Sequence, residues 1–358
     1  MKKIGIMTMH RIINYGSFLQ AYGLKKTIES LGHKVEFVDY EYEDSIIEKS
    51  KKQSIIKKII NNKNIIKALK KRAKRKEFEK RYQNEFLKIL DVTEEKNIRP
   101  SLDTLVIGSD EVFNCLQDYP VGFSTELFGN HYDNTNVITY AACFGHTDYE
   151  KLKYYKKDKE VSQYLKQIKS ISVRDENSLK TVEALIGEKV NQHLDPVLIS
   201  DFSEELKDKK ITLKDYIIVY AYPGRITKNE EKYIVNFAKK HKKKIVSIGF
   251  CYNFADYNLV VDPFEVLAYF KEADYVITDT FHGTIFSVKM KTKFCTIIRD
   301  SNHNKLYDLL SRLNLTSRTV CKIEDIEKLY NEEIDFKESH IKIKQERERS
   351  IEYLKKYL

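Results

Sequence analysis

What is scarce in this sequence excludes several classes of protein. The five cysteines are scattered and form no C-x-x-C pair, which argues against a disulfide framework and a zinc site. The nine histidines show neither H-x-x-x-H spacing nor clustering with cysteine, so we expect no metal site. No apolar run approaches the length of a membrane span, and no G-x-G-x-x-G turn indicates a dinucleotide site. We therefore expect a cytoplasmic protein without a metal or a bound cofactor.

What is present indicates a folded protein with an acidic partner. The chain has 358 residues, 42% of them hydrophobic, with 24 Tyr and 18 Phe, which is enough for two folded domains. Its first residues have a short apolar stretch with a polar continuation and no small-residue cleavage site, which is typical of a first strand rather than a signal peptide. The net charge of +10 indicates attraction to nucleic acid, an anionic membrane surface or a phosphorylated small molecule.

The alternation of short apolar runs with helical spacing predicts two α/β domains. Residues 1–205 open with a strand, a polar loop, a helix and a second strand, which is typical of a doubly wound fold. The same pattern restarts over 211–325, after a charged linker. Residues 326–358 are predicted to be helical and to cross back to the first domain. We expect two Rossmann-like domains facing across a cleft, with ligands beyond the carboxyl ends of the strands.

A basic insertion is predicted at about 45–90. Apolar residues from Ile55 to Leu69 recur at the spacing of an amphipathic helix, and a basic run follows at 70–76. One hypothesis is peripheral contact of about 50–76 with an anionic membrane, where each basic residue is worth about 1 kcal/mol. The other, which we prefer, is a solvated insertion whose apolar stripe packs on the domain. Nucleic-acid binding is not expected, because no aromatic platform accompanies the lysines.

Residues 275–287 are the stretch around which the chain is organised. Strand character at 275–278 leads through a polar turn into helical spacing, so a helix begins near His282. Such a helix start leaves backbone N–H groups free and carries the positive end of the helix dipole, which suits a phosphate or a carboxylate. His282 could donate a hydrogen bond to that anion, carry charge or pass on a proton. The alternative is that His282 caps the helix or fills a polar gap in the core.

Polar residues follow other predicted strands at the same edge. The strand at 104–107 delivers Ser109 and Asp110 to the crevice, although Asp110 would equally serve as a helix N-cap. Arg225 follows the first strand of the second domain and could hold a carboxylate with two hydrogen bonds; the alternative is a surface charge.

These motifs together resemble the polysaccharide pyruvyl transferase family. The resemblance is carried in order by segments at 14–22, 108–114, 140–145, 172–178, 194–196 and 278–287. The chain departs from the family pattern at Glu111 (for Gln), Phe113 (for Trp), Cys143 (for Ser), and Asp279 and Thr280 (for Asn-Ser). Another branch of the family has an arginine where this chain has Thr280, so the contact with the donor must come from another group here or be absent.

The resemblance implies transfer of a pyruvyl group from phosphoenolpyruvate to two hydroxyls of a sugar, forming a cyclic ketal and releasing phosphate. His282 would bind phosphate and act as general acid, and Asp110 would act as base. The residues implied on the donor side are His282, Gly283 and Thr284 (the last two through backbone N–H groups), Arg225, Thr280 and Phe281. Those implied on the acceptor side, in the first domain, are Asn14, Tyr15, Gly16, Gln20, Ser109 and Asn114. Arg174 and Glu176 complete the cleft.

Two other functions are compatible with the sequence. A nucleotide-sugar glycosyltransferase of the two-domain GT-B type shares the architecture, and Asp262 or Glu265 could bind its ribose hydroxyls. A non-enzymatic adaptor acting through the basic segment would leave the cleft motifs without a role. If the acceptor sugar is linked to a lipid, the enzyme would work at the inner face of the cell membrane.

Overall fold

The computed structural model describes residues 1–43, 45–47, 62–117, 122–299 and 302–358, the side chains of 62–67 excepted. The strands are β1 (Lys3–Met7), β2 (Lys34–Val38), β3 (Thr104–Ile107), β4 (Asn136–Thr139), β5 (Ser172–Val173), β6 (Asn191–Gln192), β7 (Tyr216–Tyr220), β8 (Lys244–Ile248), β9 (Tyr257–Leu259), β10 (Tyr275–Thr278), β11 (Phe294–Ile297) and β12 (Thr319–Val320).

The α-helices alternate with these strands along the chain. They are α1 (Tyr15–Glu29), α2 (Asn62–Arg81), α3 (Leu87–Ile89), α4 (Tyr149–Tyr154), α5 (Asp158–Leu165), α6 (Glu176–Ile186), α7 (Pro196–Ile199), α8 (Ser203–Leu206), α9 (Lys228–Lys240), α10 (Pro263–Glu272), α11 (Phe281–Met290), α12 (His303–Arg312), α13 (Asp325–Asn331) and α14 (Lys337–Tyr357). A π-helical turn, Tyr82–Phe86, joins α2 to α3.

Each domain is built on a parallel sheet. The first sheet has the order β2-β1-β3-β4, and the short pair β5-β6 continues it through bridges at Ser170 and Val173. The second has the order β12-β11-β10-β7-β8-β9. Central strands such as β7 (YIIVY) are buried along their whole length, as strands covered by helices on both faces must be. The predicted fold class, two doubly wound α/β domains, is confirmed.

The domains share an apolar seam. Phe264 of α10 packs against Phe18 and Tyr22 of α1, with ring centroids 6.1 and 4.8 Å apart. The Tyr15 hydroxyl donates to the Val261 carbonyl at 2.8 Å. Buried aromatic contacts of this kind fix the mutual orientation of the two sheets. The loops that follow β1, β3 and β4 therefore face those that follow β7, β10 and β11.

Two local features differ from what the sequence pattern predicts. The pattern predicts one helix over about 149–169, but the structure has two, α4 and α5, because Lys156 between them has a φ of 55°. The pattern also predicts that Pro196 ends a strand, but Pro196 is the first residue of α7, where its missing N–H costs nothing, and Asp195 caps that helix.

The basic insertion is only partly described, since 48–61 lie outside the described residues. Where it is described, its packing comes from aromatic residues at its end, Phe78, Tyr82 and Phe86. Leu69, at the end of the apolar stripe expected from Ile55 to Leu69, is 57% exposed. Packing by a stripe of that kind is therefore not seen in the part of α2 whose side chains are described.

The C-terminal helix α14 lies against the first domain. The Tyr353 hydroxyl donates to the Thr139 carbonyl at 2.9 Å, and Tyr140 donates to Ser350 at 2.9 Å. The end of the chain thus closes one face of the first sheet. Within the described ranges, no helix is both long and apolar enough to cross a bilayer.

Candidate functional site

The start of α11 forms the floor of the cleft. Buried strand β10 ends at Thr278, and Thr280 caps the helix, its hydroxyl oxygen accepting from the Gly283 N–H at 2.9 Å. The Thr284 N–H donates to the Thr280 carbonyl at 3.1 Å. The expectation that Gly283 and Thr284 offer free N–H groups to an anion is therefore wrong, because Thr280 occupies both. In the described chain it is the N–H groups of Phe281 and His282 that have no acceptor.

His282 points from this helix start into the first domain. Its side chain is 10% exposed, and Nε2 lies 3.5 Å from Asp195 Oδ2. Nε2 has no hydrogen-bond partner within the described residues. The other edge of the ring lies on Gly16, where a Cβ would overlap it. Thr280 caps the helix, so His282 is not the cap, and its Nε2 faces the Asp195 carboxylate.

Asp195 connects His282 to a buried arginine. Its Oδ1 accepts from the Val197 N–H at 3.0 Å, and its Oδ2 lies 3.0 Å from Arg174 Nη1. Burial by itself would raise the pKa of Asp195, but His282, Arg174 and the Val197 N–H together hold it below its ordinary value. Asp195 is therefore an ionised carboxylate at the centre of the site.

Arg174 brings a cation of the first domain to the start of α11. Its guanidinium lies over the Phe281 ring, 4.2 Å from the centroid, and 3.9 Å from Asp110 Oδ1. Burial lowers the pKa of Arg174, but the surrounding acidic groups raise it overall. The side chain is 3% exposed, and its Nε has no partner among the described residues. A buried guanidinium with an unused donor is suited to an anionic ligand.

Asp110 lies on the other side of Arg174. Its Oδ2 accepts from the Ser17 hydroxyl at 2.8 Å, and its backbone has φ of 79°. The alternative that Asp110 caps a helix is wrong, because the residues after it form a turn. Its carboxylate is 14% exposed and faces the cleft.

A second ionic cluster surrounds the turn before α11. Asp279 is fully buried and lies 3.1 Å from Arg299 Nε and 3.9 Å from Arg225 Nη1. Burial, only partly offset by these two arginines, raises the pKa of Asp279. Arg299 is also paired with Glu230, whereas Arg225 lies over the Tyr222 ring and is 31% exposed. Arg225 is therefore more exposed than Arg299 and is less strongly paired with carboxylates of the protein.

An ion pair crosses the cleft near its rim. Lys305 of α12 lies 3.0 Å from Glu111 of the first domain, and the Asn114 amide donates to the same carboxylate at 2.8 Å. Burial opposes ionisation of Glu111, but Lys305 and Asn114 lower its pKa to about 2. The same amide group lies 3.2 Å from His146 Nδ1.

Most of the residues expected on the acceptor side use their polar groups within the protein. Gln20 donates to Thr8 at 2.9 Å, Ser109 donates to the Ala141 carbonyl at 3.0 Å, and Asn114 holds Glu111. Tyr15 joins the domains through Val261. These side chains position the site rather than line it. Asn14 is partly exposed and caps α1.

Two groups of expected residues lie away from the cleft centre. Glu176 is exposed and is paired with Lys180 at 3.2 Å. Asp262 and Glu265, considered for ribose binding, form a capping box at the start of α10. Their carboxylates accept from backbone N–H groups of that helix, so neither is free in the manner that a ribose contact requires.

Sequence reasoning missed several residues that meet at this site. They are Ser17, Asp195, Tyr222, Arg299 and Lys305. The Leu-Asp-Pro motif at 194–196 is a signal for Asp195, since it carries part of the family resemblance, but the sequence alone assigns Asp195 no role in the site. In the described ranges no group of His, Cys, Asp and Glu is arranged to hold a metal ion.

Comparison with known proteins gives one family and one fold. The model of the family described as "Polysaccharide pyruvyl transferase" matches residues 14–301. No curated protein matches the chain. Among solved structures, the UDP-GlcNAc 2-epimerase from Methanocaldococcus jannaschii is similar, with a TM-score of 0.52 and 10% identity over 99% of both chains.

Two further structures share this fold. A UDP-GlcNAc 2-epimerase from Neisseria meningitidis, bound to UDP-GlcNAc, has a TM-score of 0.51 and 11% identity over 99% of this chain and 100% of its own. The S. aureus MnaA-UDP co-structure has a TM-score of 0.51 and 10% identity over 100% of this chain and 97% of its own. At such identities the likeness shows the two-domain architecture alone.

Proposed function

Because the chain belongs to the polysaccharide pyruvyl transferase family, it is a transferase, and we propose that it moves the pyruvyl group of phosphoenolpyruvate onto two hydroxyls of one sugar. The acceptor would be a sugar of a polysaccharide or of its lipid-linked precursor, modified in the cytoplasm at the inner face of the cell membrane. Phosphoenolpyruvate is then a co-substrate, and no further cofactor is proposed.

One observation carries the donor assignment. The start of α11 has N–H groups without acceptors among the described residues, and two buried side chains reach it: His282, whose Nε2 lies 3.5 Å from Asp195, and Arg174, whose Nε has no partner there. Free N–H groups, the helix dipole and a guanidinium together favour a ligand with several negative charges. Phosphoenolpyruvate carries a phosphate and a carboxylate and fits this requirement.

Arg174 and Arg225 share the role that an arginine at position 280 would have. Thr280 carries no charge, but Arg174 approaches the same helix start from the first domain, 4.2 Å above Phe281. Arg225 approaches the turn at Asp279 from the loop after β7. We assign the phosphate to His282 and the helix start, and the carboxylate to Arg174 or Arg225, where two parallel hydrogen bonds can form.

The reaction has a simple proton balance. A proton is added to the methylene carbon of phosphoenolpyruvate, which becomes the methyl group and leaves C2 electron-poor. Two sugar hydroxyls form C–O bonds to C2 and release two protons, while the C2–O bond to phosphate breaks. One released proton replaces the proton used at carbon, and the other leaves with phosphate.

The described residues suit these proton transfers. His282 would protonate the donor or the departing phosphate, a role worth about 10²–10⁴ in rate. Asp110 would accept a proton from a sugar hydroxyl, with Ser17 holding its second oxygen at 2.8 Å. Asp195, 3.5 Å from His282 Nε2, would orient the imidazole.

A calorimetric titration of phosphoenolpyruvate tests the donor site. We expect the wild-type protein to bind it, and His282→Ala to bind at least ~10-fold more weakly, since a charge-assisted contact is lost. His303→Ala is the matched control, because His303 is exposed at the start of α12 and should leave binding unchanged. Uridine diphosphate is the comparison ligand and should not bind.

Two results would overturn the assignment. Equal affinity of the wild type and His282→Ala for phosphoenolpyruvate would remove His282 from the donor site. Binding of uridine diphosphate without any response to phosphoenolpyruvate would point to a nucleotide-sugar enzyme of the same architecture.

A further inference from the structure

The described end of α2 projects from the body of the protein. Between residues 68 and 77, here called the basic arm, every side chain is exposed except that of Lys74, which is half-buried. Leu69 is 57% exposed, and the first fully packed side chain is Phe78. A helix that is exposed on all sides gains nothing from burial, so its role lies in what it presents to a partner.

The basic arm presents positive charge over most of its circumference. Its basic residues are Lys70, Lys71, Arg72, Lys74, Arg75 and Lys76, and steps of about 100° per residue spread them over about 240° of the helix, while Leu69, Ala73 and Glu77 share the remaining third. Lys74 is paired with Glu77 at 2.8 Å, and Arg75 with Glu79 at 2.8 Å. The other four have no carboxylate partner among the described residues. Leu69 is the one large apolar side chain within the arm, so the arm offers little apolar surface for insertion into another structure.

The residues that follow the basic arm pack at the seam between the domains. The Phe78 ring stacks on Tyr15 with centroids 4.6 Å apart, and the Tyr82 hydroxyl donates to the His10 carbonyl at 2.9 Å. Arg81 Nη1 donates to the Val260 carbonyl of the second domain at 2.7 Å. The arm is thus joined rigidly to the loop that carries Asn14, at the acceptor side of the cleft.

We propose that the basic arm binds the surface of an anionic lipid bilayer and, on the acceptor side given by the proposed function, holds the cleft against the membrane. Positive charge over most of a projecting helix matches a broad layer of anionic headgroups, and the small apolar surface of the arm favours contact without deep insertion. A nucleic-acid partner is less well matched, because the arm has no aromatic residue and Phe78, which follows it, is buried and cannot stack on a base.

Sedimentation with lipid vesicles tests this proposal directly. The probe is a vesicle with about 30% phosphatidylglycerol in phosphatidylcholine, compared with phosphatidylcholine alone. The arm variant carries Lys70→Gln, Lys71→Gln, Arg72→Gln and Lys76→Gln. The matched control loses the same charge elsewhere on the first domain, through Lys153→Gln, Lys159→Gln, Lys166→Gln and Lys189→Gln, all exposed positions.

We expect the wild type and the control to bind anionic vesicles in a manner that ~0.5 M salt abolishes, and the arm variant to bind at least ~10-fold more weakly. Equal losses in both variants would show that net charge alone drives binding and would overturn the proposal. So would an absence of vesicle binding, including the case in which the arm instead binds RNA or polyphosphate.

The variants must remain folded for these comparisons. None of the substituted arm residues is buried, so thermal unfolding should be the same for the arm variant, the control and the wild type. The vesicle measurement needs no phosphoenolpyruvate. Its failure would therefore leave the proposed donor chemistry untouched, and failure of the donor titration would leave the arm untouched.

Discussion

The two domains contribute opposite charges to the cleft. The loops of the first domain bring carboxylates, Asp110, Glu111 and Asp195, whereas the second domain brings Arg225, Arg299 and Lys305 together with the start of α11. Positive groups and a helix start suit an anionic donor, and carboxylates suit the removal of protons from hydroxyls. This difference is the basis on which we propose a donor half and a proton-accepting half.

Each half contains one buried residue of the opposite sign. Arg174 lies among the acids of the first domain, and Asp279 lies among the arginines of the second. Both side chains are almost completely buried, and each holds its neighbours of opposite charge through ion pairs. Replacing either of these two residues would give the strongest test of the difference in charge between the halves.

Replacement of Arg174 should have the largest effect. Arg174→Met would leave Asp110 and Asp195 buried without their cation, and we expect the free energy of unfolding to fall by about 3–5 kcal/mol. Urea unfolding followed by circular dichroism measures this, since the chain has no Trp to report by fluorescence.

Arg349→Met is the control for Arg174→Met. The Arg349 side chain is 56% exposed and paired with Glu346, so its loss should change stability by less than about 0.5 kcal/mol. A loss of under about 1 kcal/mol for Arg174→Met would mean that the two carboxylates of the first domain are not held by this cation.

A substitution of Gly16 tests the contact between the two domains at His282. Alanine at this position would place a Cβ against the imidazole, so Gly16→Ala should displace the ring. We expect about 1–3 kcal/mol of destabilisation from overpacking and weaker binding of phosphoenolpyruvate by calorimetry. The double variant with His282→Ala is the control, since the added methyl group then has room.

A further loss of stability in that double variant, as large as in the wild-type background, would contradict the packing argument. It would show that the alanine acts through the start of α1 rather than through His282. If the losses do not add, the coupling energy measures how tightly the two domains hold this ring between them.

The sequence predicted the second domain better than the first, for a physical reason. Around His282, a buried strand, a turn and a helix start follow one another within 275–287, so local pattern is enough to place the side chain. The cap by Thr280 is equally local, although the family resemblance implies donor binding for Thr280 and the Gly283 N–H instead. Architecture was predictable in both domains, because alternating strands and helices with buried parallel strands leave few arrangements.

Local sequence patterns do not reveal which charged residues pair with one another at the site. Asp195 meets Arg174 and His282, which lie 21 and 87 positions away along the chain, so no local spacing reveals the group. Lys305 is one of 63 Lys and Arg, and charge alone does not distinguish it from the exposed ones. The carboxylate of Asp195 was found only when the fold brought its neighbours together.

We expect the smallest effect on stability at Asp308, whose carboxylate lies near acidic residues of the first domain. Burial raises the pKa of Asp308 on α12 to about 6, with Asp175 and Glu176 adding to the shift and Arg312 opposing it. The folded protein therefore binds this proton more tightly than the unfolded chain does, whose ordinary value is 3.8. Its contribution to stability is present below about pH 4 and is lost as the pH rises through about 6.

Asp308→Asn removes that dependence and keeps the size of the side chain. Relative to the wild type it should be more stable by about 1 kcal/mol at pH near 7.5, after allowance for solvent screening, and no more stable near pH 4. Urea midpoints at the two pH values measure the difference, with Asp133→Asn, at an exposed loop position, as the control. A constant difference at both pH values would show that Asp308 stays ionised, and that the acids of the two domains do not repel one another across this contact.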